Sequence, residues 1–177
     1  MKKRKTLIIS ITTLFVILIS YYFFSNSGND ILTQRKFTNY LFNSSNISIR
    51  KNCYNDLIGL STDGAVYDFY EYNVEGLSEV NIVDGYPKFD SIFVKKDLVN
   101  IDFCYWRKTP LINDSSFYYD IANSANITKY KCSSDFQKNN YLKQQGNYYC
   151  FVSAYPIGTY LLVYTPKSKK LFVIFKK

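Results

Sequence analysis

The sequence predicts an α+β protein: an N-terminal transmembrane helix followed by a mainly antiparallel β domain of about seven strands with two or three short helices. Three observations predict it. A basic start leads into a long uncharged apolar run. Short strand-like runs separated by turn residues fill most of the remainder. Four cysteines all fall after the apolar run.

The apolar run comes first. The chain opens Met1-Lys2-Lys3-Arg4-Lys5, and residues 6–29 carry no charge. A helix of about 20 apolar residues crosses the hydrocarbon layer of a membrane. Lys and Arg before such a segment hold that end in the cytoplasm. Residues 6–24 are therefore expected to cross a membrane as a signal-anchor. On this reading residues 1–29 form a basic cytoplasmic tail, the span and a linker, and residues 30–177 form an extracytoplasmic α+β domain. The expected location is the inner (cytoplasmic) membrane, single-pass, with the domain in the periplasm or outside the cell. The alternative is a cleaved secretory signal, with Ser25-Asn26-Ser27 as the small-residue site. The apolar run is long for a signal, and Tyr21-Tyr22-Phe23-Phe24 resembles an interfacial aromatic belt. Both readings export the domain.

The elements of the domain follow in order. Asp30 can cap a helix reaching Phe42, with Ile31, Phe37 and Leu41 on its apolar side. Runs at 57–62 and 65–74 flank Asp63-Gly64, a two-residue hairpin signal because that turn needs positive φ at both positions. Further strands are expected at 77–83, 89–94 and 98–107. In the last of these, Val99, Ile101, Phe103 and Tyr105 share one face by simple alternation, and Asn100, Asp102, Cys104 and Trp106 the other. Residues 113–122 read as a short helix, 127–132 as a strand, and 134–145 as a polar helix stopped by Gly146. Runs at 148–155, 159–164 and 171–175, separated by Pro156-Ile157-Gly158 and Pro166-Lys167-Ser168-Lys169, predict an antiparallel meander.

Cys53, Cys104, Cys132 and Cys150 form an even set in an exported domain, which reads as two disulfides of undetermined pairing. Their spacing lacks the close pairs that zinc sites favour, and the chain has no His. That excludes Ser-His-Asp and Cys-His catalysis. No phosphate-binding or dinucleotide-binding glycine motif is present. No cofactor, metal site or catalytic set is expected. The net charge of +8 falls to about +4 once the four cations of residues 1–29 are removed, a mild excess that does not call for nucleic acid. Lys167, Lys169, Lys170, Lys176 and Lys177 cluster near the C-terminus and read as edge charges that oppose aggregation, or as a contact for anionic lipid or an acidic partner.

The 18 Tyr, 14 Phe and single Trp are the most unusual feature of the composition. Strands favour aromatics and a core uses them, and an AT-rich genome raises the Tyr count, so filling of core and surface is one account and a contact surface the other. Tyr in quantity marks contact surfaces, being large, rather rigid and amphipathic. Tyr105-Trp106-Arg107 joins the three residue types most enriched at binding hot spots. Tyr70, Tyr72, Tyr105, Trp106 and Arg107 are the expected partner-binding residues. The layout resembles that of many small bacterial envelope proteins, immunity proteins that block toxins among them. The expected function is a membrane-anchored extracytoplasmic protein-binding module that neutralises a secreted toxin by occlusion. The alternatives are a structural accessory subunit of an envelope or secretion complex and a carboxylate-dependent envelope hydrolase.

Overall fold

The computed structural model describes residues 40–44, 46–58, 64–77, 82, 85–88, 100–111, 131–156 and 158–177. They belong to one unit, Leu32–Lys177. Its centre is a mainly antiparallel sheet of six strands among the described residues, with little helix. The strands are β1 (Ser48–Asp56), β2 (Tyr67–Glu75), β3 (Asn100–Lys108), β4 (Tyr148–Tyr155), β5 (Gly158–Thr165) and β6 (Lys170–Lys176), in the spatial order β1-β2-β6-β5-β4-β3. One helix, α1 (Lys131–Asn139), packs on β1 and β2.

The meander of β4, β5 and β6 lies where the sequence places it, and its apolar runs explain why it is central. Tyr160 to Thr165 and Leu171 to Phe175 are buried at every position. A strand buried on both faces reads as a continuous apolar run rather than an alternation. One face carries Phe69, Phe172, Leu161 and Phe151, set in a row by the pairings Phe69↔Ile174, Glu71↔Phe172, Leu161↔Ile174 and Phe151↔Leu161. Phe136 of α1 lies edge-on to Phe69 at 5.7 Å and to Phe172 at 5.0 Å, and Tyr141 stacks on Phe172 at 5.1 Å. The other face carries Tyr70, Val173, Leu162 and Cys150. Phe42 covers it near one end, 6.0 Å from Tyr164 and 5.4 Å from Trp106.

Three expectations are corrected. β2 does pair in a hairpin, but its partner is β1, upstream of the run at 57–62. Leu57 N–H donates to the Tyr67 carbonyl at 2.8 Å, and residues 57, 58 and 64–66 are not strand, while 59–63, including Asp63 of the expected turn, lie outside the described residues. β1 is an edge strand with exposed Ser48, Arg50, Lys51 and Asn52, which leaves no apolar alternation to read. Second, Lys131 and Cys132, expected to end a strand, begin α1 instead. Third, that helix ends at Asn139, short of the expected 145. Asn140 takes φ 49° and donates to the Phe136 and Gln137 carbonyls, a left-handed stop that Asn tolerates. The expected strands at 77–83 and 89–94, the helix at 113–122, most of the helix at 30–42 and the apolar run at 6–24 lie outside the described residues, wholly or in most of their length. Among the described residues no helix is long and apolar enough to cross a membrane.

Two glycines are fixed by close approach. A Cβ on Gly76 (φ +77°) would stand 2.5 Å from the Asn46 carbonyl oxygen. One on Gly158 (φ +133°), at the β4–β5 turn, would stand 2.6 Å from both the Lys176 carbonyl oxygen and the Phe175 ring. Both positions combine positive φ with backbone contact, so no other residue fits unstrained.

Candidate interaction surface

The register of β1 on β2 assembles a cluster of tyrosines and carboxylates. Tyr54 faces Tyr70 and Asp56 faces Asp68 across the pair. With the period-2 alternation of strands, Tyr54, Asp56, Asp68, Tyr70 and Tyr72 then share one face. Tyr54 and Tyr70 stack at 4.9 Å, and Tyr70 stacks on Tyr72 at 6.1 Å. Tyr54 O–H donates to Asp68 Oδ1 at 2.9 Å, and Tyr70 O–H donates to Asp68 Oδ2 at 3.1 Å. Tyr160, stacked on Phe175 at 4.4 Å, adds a third phenol near Asp68. Burial raises the carboxyl pKa of Asp68, the two tyrosyl bonds hold it down in part, and Asp56 raises it further. Burial also pushes the Tyr54 and Tyr160 hydroxyls up.

This geometry limits what the cluster offers. Both Asp68 oxygens are engaged, and the Tyr54 hydroxyl is spent on one of them. What Tyr54 presents, at 42% exposure on an edge strand, is a fixed ring. Asp56 and Asp68 face each other across the β1–β2 pair, the one as a charge that acts on the other. Asp68 and Glu71 project to opposite faces, since Asp68 pairs with Phe175 and Glu71 with Phe172.

A stability prediction follows from Asp68. Its folded pKa lies above the ordinary value of 3.8, so its ionised form is disfavoured by folding. The group subtracts stability at neutral pH, and that loss is relieved as pH falls through the folded pKa toward 3.8. Melting temperatures of the wild type and Asp68→Asn, compared from neutral pH downward, are expected to move in the wild type's favour as pH drops. A gap that moves the other way overturns this assignment.

The five expected partner-binding residues are not brought together. Tyr70 and Tyr72 are buried in β2, and β6, β5 and β4 separate them from β3. Trp106 is also buried. Its N–H donates to the Tyr86 carbonyl and its Nε1–H to the Leu41 carbonyl, each at 2.8 Å. Tyr105 is 48% exposed, and Arg107 is exposed.

A bulge separates these neighbours. The β3–β4 register shifts between Cys104 and Arg107. Cys104 therefore pairs with Phe151 on the α1 face, whereas Trp106 reaches Phe42 and the Tyr164 side. The expected grouping of Cys104 with Trp106 on one face is thus corrected. Tyr105 stays with Phe103, their rings T-shaped at 5.5 Å. Ile101, Phe103 and Tyr105 make a row along β3, the last strand of the sheet among the described residues, the first two partly exposed. Alternation predicted this row. Tyr54 and Asp56 were missed because β1 was. Tyr155, 70% exposed at the β4–β5 turn, carried only the general tyrosine signal.

No family model, curated protein or solved structure matches this chain. Among the described residues, no group of three or more His, Cys, Asp or Glu side chains is placed to hold a metal ion.

The cysteine expectation is revised in part. Cys53 is disulfide-bonded. Cys104 and Cys150 carry free thiols in the interior. The reason is geometric. Cys104 pairs with Phe151, so Cys150, one residue before it, projects to the opposite face of the sheet. Burial raises both thiol pKa values. Without reductant, a maleimide is expected to modify neither thiol in the folded chain and both after denaturation. No modification after denaturation would mean that the two are bridged.

Proposed function

We propose that this chain is a membrane-anchored extracytoplasmic protein-binding module, an immunity protein that neutralises a secreted toxin by covering its working surface. The observation that carries the reading is the row Ile101, Phe103 and Tyr105 on β3, the last strand of the sheet among the described residues. Apolar rows on an edge strand invite pairing with another chain, and proteins usually blunt them. Here the row ends in a Tyr held by its neighbour's ring, with exposed Arg107 on the far side of the same strand. A ring already fixed in place loses little entropy on binding. Trp106, bonded into the core between them, keeps the strand from shifting.

The test is a contact competition. A strain lacking the gene is expected to be killed by its own parent and to be protected by the full chain. Tyr105→Ala, a surface change costing about 0.5 kcal/mol or less in stability, is expected to accumulate normally and protect far less. A deletion strain that competes normally, against a parent shown to deliver toxins, sinks the reading. In that case the accessory-subunit reading takes its place.

A further inference from the structure

The sheet gathers cations from three separate stretches of sequence onto one end. The pairings Arg50↔Asn73, Asn73↔Lys170 and Thr165↔Lys170 set Arg50 level with Lys170. Lys51 follows Arg50 on β1, and Lys167 and Lys169 lie in the turn joining β5 to β6. Across the sheet, Lys108↔Tyr148 and Tyr148↔Tyr164 bring Arg107 and Lys108 to the same end. Arg50, Lys51, Arg107, Lys108, Lys167 and Lys169 are all exposed, and Lys170 is partly so. Among the described residues, the acids at this rim are Glu71, which is buried and bonded to Lys170, together with Glu75 and Asp135. The opposite end carries Asp56, Asp68 and Asp102, with Lys176 and Lys177. The five lysines that cluster in the sequence are thus split by the length of β6. Three of them join cations of β1 and β3 to form a basic rim, and two lie at the far end.

From these placements we infer that the basic rim docks the domain on anionic lipid headgroups. Charge complementarity is the first argument, since each cation held near an anionic surface adds about a fivefold preference for it. The second is the course of the chain. Phe42 lies against Trp106 and Tyr164 near this rim, and Ser48 opens β1 there, so the chain enters the sheet on this side. A domain docked in this way turns Tyr155 and the Asp56–Asp68 end outward. The inference is independent of the toxin reading, because it concerns only the surface the domain rests on.

The experiment is lysine acylation of the full chain with nanodiscs of phosphatidylcholine alone or with added phosphatidylglycerol, read residue by residue by mass spectrometry. Lys108, Lys167 and Lys169 are expected to be labelled severalfold more slowly with the anionic lipid and to recover in high salt. Lys176 and Lys177, at the far end, are the internal control and should not change. Lys167→Glu with Lys169→Glu alters a surface turn, and it should restore labelling of Lys108 by about fivefold or more. Should the chain associate only with the anionic discs, the rim reading stands even without a retained anchor. Equal labelling in both lipids overturns it, as does protection that ignores salt. Protection that appears only when a killing factor is added assigns the rim to an acidic protein and also overturns it.

Discussion

Trp106→Ala is expected to destabilise the domain by about 3–5 kcal/mol, the usual cost of deleting a buried large aromatic side chain. The indole stacks on Phe42 at 5.4 Å, and its Nε1–H satisfies the Leu41 carbonyl at 2.8 Å. Removing it opens a cavity between β3 and the 40–43 segment and leaves a buried carbonyl unpaired. Trp106→Phe restores most of the stacking but not the donor. It should cost about 1–3 kcal/mol, the penalty for an unsatisfied buried acceptor. Domains of ordinary stability have only about 5–15 kcal/mol in hand, so the alanine variant is expected to be scarce in cells. Denaturant unfolding of the full chain, followed by near-UV circular dichroism, measures both values. The result also separates fold from contact. Trp106→Ala should lose protection in proportion to its lost abundance, whereas Tyr105→Ala should lose it at full abundance. An alanine variant within about 0.5 kcal/mol of wild type, the range of ordinary surface changes, would mean that Trp106 is not packed as described.

The contrast between these two neighbours shows what a period-2 reading can and cannot recover. The β4–β6 meander was legible because its strands are apolar at successive positions and are divided by Pro and Gly. The Ile101, Phe103 and Tyr105 row was legible because alternation holds up to that point. Two edge-strand bulges broke the pattern elsewhere. In β3 the register shift between Cys104 and Arg107 sends Trp106 to the Phe42 side. In β1 the shift between Lys51 and Cys53 frees Asn52 to reach Glu71. A bulge inserts one residue opposite none and re-aims a side chain, and nothing in local composition announces it. β1 itself was invisible because an edge strand needs only one partly buried face. Its tyrosine and carboxylate therefore entered the site only through pairing with β2. Burial of Tyr70 and Tyr72 is a tertiary outcome of the same kind: β2 lies between β1 and β6, and β6 comes from a distant part of the sequence.

The Asn52 bulge serves a buried charge, and the second large effect is expected there. Glu71 is buried, and its Oε1 receives Lys170 Nζ and Asn52 Nδ2, each at 2.7 Å. Lys170→Met removes the countercharge and leaves the carboxylate with one neutral donor. Breaking a buried pair from one side costs about 3–5 kcal/mol. The lower end applies, because Lys170 is partly exposed and water can enter where its ammonium stood. Replacing both partners, Glu71→Leu with Lys170→Met, should recover most of that loss, since apolar residues of similar volume avoid the desolvation of two charges. The pair therefore fixes register between β2 and β6 more than it adds net stability. The pH dependence checks the assignment. Hydrogen bonding to Glu71 raises the Lys170 pKa above its ordinary 10.5, opposed by burial and helped by the charge of Glu71. A raised folded pKa gives a contribution that is fully present below the unfolded value and is lost as pH rises through the folded one. The stability gap between wild type and Lys170→Met should hold steady from neutral pH to about 10.5 and narrow only above it. Should the gap close near neutral pH, or the double variant prove as unstable as Lys170→Met alone, Glu71 is held by something other than Lys170.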